Sequence, residues 1–234
     1  MEEKEKNIDN KKSINNKENK TGKVKLFILI VFSVLSISLF LGLEYIVISN
    51  VRYKPIIYLY PTQETEVTVS LGYKDKLTSS YPKYEDSWKV LAKPSGDLTY
   101  LKTNQKLYSL YYESNGILHF KVEKDGFCVK GEEVAKFLEE KLAKLGLTER
   151  ESEEFIIYWL PKLENNKYNY IRFATSKEID IDMPLNINPK PDNTIRVLMT
   201  FKGLKKPIDV QEQSLTTPKR TGFVAVEWGG TEIK

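Results

Sequence analysis

The chain has 234 residues, with 36 basic and 32 acidic side chains, a net charge of +4, one histidine and one cysteine. One cysteine excludes an intrachain disulfide, and one histidine excludes a histidine-rich metal site. Charge is uneven: residues 1–25 hold eight lysines against five acids, while the remainder holds 28 basic against 27 acidic residues. A nucleic-acid reader concentrates positive charge on its folded part, so that class is disfavoured and no nucleic-acid partner is expected.

Residues 1–25 are almost wholly Lys, Glu and Asn and cannot bury enough apolar surface to fold, so a disordered tail is expected. Leu26 to Leu43 then runs 18 residues without a charge. As a helix it spans roughly 27 Å, close to the hydrocarbon core of a bilayer. Glu44 marks the outer boundary and Tyr45 takes the place of an interfacial aromatic, so residues 26–48 read as one transmembrane helix. The lysines before it place the amino terminus in the cytoplasm and the rest outside the cell. A cleaved signal peptide is the rival. Its apolar core would be shorter and would end at a small-x-small site, which FLGLEYIVIS lacks. No cysteine follows to carry a lipid.

Residues 49–54 read as a tether, 55–125 as a β-rich half, and 126–234 as an α+β half that shares one extracytoplasmic unit with it. Ile56 to Tyr60 is apolar on both faces, as in a central covered strand, with Pro55 and Pro61 bracketing it. Thr65 to Leu71 alternates like a half-buried strand, and Gly72 to Ser80 reads as a loop with a short strand. Ser87 to Lys93 and Leu98 to Leu101 flank the turn Pro94-Ser95-Gly96-Asp97 as a hairpin. Lys106 to Glu113 reads as one strand. Asn115-Gly116 predicts a hairpin to Ile117–Val122, and Asp125-Gly126 repeats the turn signal.

Glu132 to Leu145 carries Val134, Phe137, Leu138, Leu142 and Leu145 at helical spacing, with Gly146 as its stop. Thr148 and Glu151 form a capping box for a second helix. Pro161 and the aromatic, β-branched run before it favour a strand from about Ile156. Lys167 to Thr175 returns after an Asn165-Asn166 turn. Glu178 to Ile187 alternates strictly and reads as a strand, and NPKPDN is a turn. Thr194–Phe201 and Gly222–Trp228 are further strands. The expected class is α+β: an N-terminal transmembrane helix, then a β-rich domain with a sandwich-like half, two helices and further antiparallel strands.

The phrases KPIIYLYP (54–61), AKPSGDL (92–98), EEFIIYWLPKL (153–163), NINPKPD (186–192) and GFVAVEWGG (222–230) together resemble a family of uncharacterised bacterial membrane-anchored or exported proteins. The resemblance implies one contiguous extracytoplasmic domain and no assigned activity. Its pattern has an apolar residue at the place of Cys128.

Four arrangements carry candidate chemistry. Cys128 and His119 are the one thiol and imidazole, but Cys128 reads as a strand end and His119 as an ordinary strand residue. Glu178, Asp180 and Asp182 on one strand face, with Asp192 nearby, suggest calcium without the looped spacing it prefers; no metal or other cofactor is expected. Glu113, Glu154 and Glu227 sit beside aromatics and suit a glycosidase only if two of them face one cleft. Trp88, Tyr112, Trp159 and Trp228, with Tyr108 and Tyr111, would make a ligand platform or ordinary strand core. The function expected is a non-catalytic binding or interaction module at the cell envelope, with the membrane and a cell-wall polymer or another envelope protein as partners. The alternative is an envelope enzyme acting on wall glycan or peptide through a carboxylate acid/base pair.

Overall fold

The computed structural model describes residues 31–33, 51–115 and 120–233. Residues 31–33 are helical; the rest of the expected anchor lies outside the described residues. Among the described residues no helix is long and apolar enough to cross a membrane. The chain divides into two units, Met1–Ile48 and Ser49–Lys234. The second unit has the α+β, strand-rich architecture expected from the sequence, but its later strands are not all antiparallel: Asn193–Leu204 pairs parallel with Val224–Glu232.

Its thirteen described strands are β1 (Val51–Tyr60), β2 (Thr65–Leu71), β3 (Leu77–Tyr81), β4 (Trp88–Ala92), β5 (Leu98–Tyr100), β6 (Gln105–Leu107), β7 (Leu110–Asn115), β8 (Asp125–Lys130), β9 (Tyr168–Ala174), β10 (Leu185–Asn188), β11 (Asn193–Leu204), β12 (Gln211–Glu212) and β13 (Val224–Glu232). The helices are α1 (Val134–Lys144), α2 (Glu149–Leu163) and α3 (Ser176–Asp182). Eight strands form one sheet in the order β12-β8-β9-β11-β13-β1-β7-β3, and five form a second in the order β10-β2-β4-β5-β6. The large sheet joins the two halves of the domain at one seam, where β13 of the second half pairs with β1 of the first.

β1 shows how two cores arise from one strand. Side chains alternate across a strand, so Ile56 and Tyr58 face one way and Ile57 and Leu59 the other. The first pair joins α1 and α2 in a core with Phe155, Trp159, Val226 and Trp228. The second joins the small sheet in a core with Val67, Val69, Trp88, Val90 and Leu110. The large sheet is therefore the middle of three layers, and the reading of β1 as a strand covered on both faces holds. α3 covers the small-sheet side further along, with Ile179 against Ala174 and Leu198.

Several expectations are corrected. Residues 106–113 are two strands in different sheets, because β6 pairs with β5 while β7 pairs with β1 and β3. Those two neighbours occupy both edges of β7, where the expected partner strand 117–122 would have paired. Residues 116–119 lie outside the described residues, and 120–124 carry no strand. Asp125-Gly126 opens β8 instead of turning the chain. Gly126 has φ +150°, and a Cβ there would meet the Tyr170 ring at 2.6 Å.

The strand expected from Ile156 is the second half of α2. Phe155, Trp159 and Leu163 recur at four-residue spacing and are all buried, and that stripe outweighs local strand preference. Pro161 falls in the last turn. The carbonyl it leaves without an N–H donor belongs to Ile157, whose residue is 68% exposed, so water can satisfy it. The alternating run 178–187 is α3 followed by β10. Thr175 and Glu178 form a capping box, with Glu178 N–H donating to Thr175 Oγ1 at 3.3 Å and Glu178 Oε2 accepting from Thr175 N–H at 2.7 Å. Alternation would bury Ile181 with Ile179, yet Ile181 is 62% exposed. α1 ends as expected: Gly146 (φ +86°) and Leu147 donate back to Ala143 O and Leu142 O, a Schellman closure.

Candidate functional site

The five phrases that carry the family resemblance are scattered through the chain but meet in space. KPIIYLYP is β1, and it pairs antiparallel with β13, the strand of GFVAVEWGG. EEFIIYWLPKL is most of α2, which lies over both. Phe155 packs edge-on against Trp228, with ring centroids 5.4 Å apart. Gly230 lets Trp159 lie on the strand: a Cβ there would meet the indole at 2.6 Å. The turn of AKPSGDL supports Tyr60, whose ring would be 2.7 Å from a Cβ at Gly96. Asp192 of NINPKPD accepts from the Phe223 N–H at 2.7 Å and lies where a Cβ on Gly222 would go. Most of this constellation is packing.

Its accessible part is a cluster of tyrosines, carboxylates and arginines where β1 ends and α2 begins. Tyr58 donates to Glu154 Oε2 at 2.6 Å, and Arg150 Nε donates to Glu154 Oε1 at 3.2 Å. The Arg150 guanidinium lies 4.9 Å from the Tyr108 ring centroid, a cation–π distance. The Tyr58 ring centroid is 6.4 Å from those of Tyr60 and Tyr108. Glu151 is buried, and Arg220 reaches it with two donors at 3.0 and 3.1 Å while also donating to Gly146 O at 2.8 Å. The Thr148 N–H donates to Glu151 Oε2 at 2.8 Å. The Arg220 guanidinium also lies 5.3 Å from the Tyr60 ring. All four oxygens of Glu151 and Glu154 therefore have donors from the protein itself. Burial, then Glu154, pushes the Tyr58 hydroxyl far above its ordinary range, and burial, then Glu151, does the same to Tyr60. Tyr108 is 46% exposed, and Arg150 is also exposed.

The three candidate carboxylates do not share one cleft. Glu154 and Glu113 lie on the helix side of the large sheet, Glu113 bonded to Tyr111. Glu227 projects from the opposite face. There it accepts from Tyr112 Oη at 2.7 Å and from Arg196 Nε at 2.6 Å. Arg196 also donates to Met183 O at 2.9 Å and pairs with Asp180.

Trp88, Tyr112, Trp159 and Trp228 are fully buried. Trp159 and Trp228 belong to the helix-side core, and Trp88 and Tyr112 to the core under the small sheet. They form no surface platform; of the aromatics considered, Tyr108 is the exposed one. The carboxylates considered for calcium are engaged separately. Glu178 is bound by Thr175 and Arg172, Asp180 by Arg196, and Asp192 by the Phe223 N–H. Burial alone would raise Glu178, but its bonds from Thr175 and Arg172 prevail and hold it below the usual carboxylate range. Among the described residues no group of three or more His, Cys, Asp or Glu is placed to hold a metal. His119, the partner considered for Cys128, lies outside the described residues.

Sequence reasoning found Glu154 and the Glu151 cap but missed Tyr58, Tyr60, Arg150 and Arg220 as members of one cluster. Arg220 is 69 residues from Glu151, and no local pattern links them. Compared with protein-family models, curated proteins and solved structures, the chain matches none.

Proposed function

We propose that the chain is a single-pass envelope protein whose residues 26–48 cross the membrane, with the amino terminus in the cytoplasm and residues 49–234 outside. In this reading the outer unit is a non-catalytic binding or interaction module. The 18-residue apolar run and the lysines that precede it support the topology. The observation that carries the binding reading is the cluster at the start of α2. Each oxygen of its carboxylates already has a donor from the protein itself, while an aromatic ring and a guanidinium stay exposed beside them. A general acid or base needs a proton to exchange with substrate, whereas an exposed tyrosine and arginine suit recognition.

The alternative, a carboxylate-dependent enzyme on wall glycan or peptide, keeps only Glu113 and Glu154, since Glu227 lies across the sheet. The test is retention of residues 49–234, whose two cores draw only on residues from 56 onward, on purified wall polymer and on membrane extract. Retention by one of them, weakened at least tenfold by Tyr108→Ala with Arg150→Ala, is expected; retention by neither overturns the reading. Turnover of wall glycan or peptide that Glu154→Gln abolishes would favour the enzyme. Labelling of intact cells from outside should reach the C-terminal half and spare Lys4 to Lys20.

A further inference from the structure

The long connection from β11 to β13 leaves the sheet, runs to its far edge as β12, and returns past α1. β12 adds only two residues to that edge, Gln211 and Glu212 opposite Asp125 and Gly126. Gln211 donates to Lys124 O at 3.0 Å and Gln213 to Gly126 O at 3.2 Å. Backbone groups alternate in direction along a strand, so Cys128 and Lys130, in step with Lys124 and Gly126, also turn their N–H and C=O outward. β12 does not extend to them. There the connection touches β8 through a side chain, with Ile208 N–H donating to Cys128 Sγ at 3.5 Å. Beside this stretch of edge is an open cavity of about 670 Å³ between α1 and residues 208–212. Phe127 and Phe137 form its apolar floor, with their ring centroids 5.0 Å apart.

Four carboxylates line the cavity against two lysines. Glu133 is paired with Lys130 and Glu212 with Lys141, which also lies 4.7 Å from the Phe127 ring. Glu140 and Asp209 have no ion pair among the described residues. An unpaired strand edge beside a helix, with an apolar pocket between them, is the arrangement that takes up an extended peptide as an added strand.

We infer that the slot between β8 and α1 binds an extended polypeptide segment as an added strand, with an apolar side chain on Phe127 and Phe137 and a basic side chain two residues away facing Glu140 or Asp209. This rests on the reading of the outer unit as a binding module and names a partner for it.

The test uses residues 49–234 and an array of synthetic heptapeptides with an apolar centre and Lys, Thr or Glu two residues on. Lysine peptides should bind at least tenfold more tightly than glutamate peptides. Glu140→Lys with Asp209→Lys, both at the surface, should reverse that order. Methylating alternate backbone nitrogens should weaken binding at least tenfold on one of the two alternations and not on the other. Bound peptide should also slow maleimide labelling of Cys128, the one thiol. The inference is overturned if no peptide binds, if charge reversal or methylation has no effect, or if Cys128 labelling is unchanged. If the array fails while the same protein still holds wall polymer or membrane extract, the slot is wrong and the binding reading stands.

Discussion

The two faces of the large sheet each bury a glutamate against an arginine, but in different settings. On the small-sheet face, Arg196 is 3% and Glu227 6% exposed, and Tyr112 and the Met183 carbonyl complete the shell. On the helix face, Glu151 is just as buried, but it caps a helix and Arg220 reaches it from the rim. A buried pair costs desolvation on both partners, so removing one partner strands the other charge. The rim pair has a partly exposed arginine, and its carboxylate keeps a backbone donor if the arginine is lost. The enclosed pair therefore ties the sheet to the layer beside it, while the rim pair fixes the start of α2 at the surface.

Breaking the enclosed pair should have the largest effect. Arg196→Ala leaves Glu227 buried beside Tyr112 and should cost about 3–5 kcal/mol in denaturant unfolding. A loss under about 1 kcal/mol would show that the pair does not hold the layers together. Trp159→Ala, which empties the helix-side core under Gly230, should cost a comparable amount of about 3–5 kcal/mol. Arg220→Ala should cost less, about 1–3 kcal/mol, because the Thr148 N–H still serves Glu151. Equal losses for Arg196→Ala and Arg220→Ala would erase the contrast between the faces.

An effect comparable to that of Arg220→Ala sharpens the helix face. Tyr58→Phe deletes one hydrogen bond to a carboxylate and should cost about 1.5–3 kcal/mol at neutral pH, near the lower end if Arg150 holds Glu154 alone. The same tyrosines set an alkaline limit. Tyr58 and Tyr60 are raised in the folded state, chiefly by burial. Their contribution is complete below the unfolded tyrosine pKa of about 10 and is lost as pH rises above it. Melting temperature should fall above pH 10 in the native chain, and less steeply in Tyr58→Phe. Parallel curves would show that Tyr58 ionises as easily folded as unfolded.

Much of this was legible from local pattern. β1 announced burial on both faces through its apolar run Ile56 to Tyr60, α1 its inward stripe and Gly146 stop, and α2 its capping box. Each rests on spacing within a few residues, which a chain carries with it before it folds. The failures share a cause too. Residues 178–187 alternate as a strand would, and only the packing of Ile179 on Leu198, with the Thr175 cap, makes the first part helical. FIIYWLP has strand-like composition, but Phe155, Trp159 and Leu163 find a sheet to cover.

The sequence by itself determined the polar tail, the apolar run with its lysine flank, the α+β class and most strands, because charge, hydrophobicity and short spacings are local properties. Only the tertiary structure decided that the tryptophans are core, that Glu227 lies across the sheet from Glu113 and Glu154, and that Arg220 meets Glu151. Those facts depend on which face of which strand ends up beside a residue far along the chain, and that is settled when the layers close on one another.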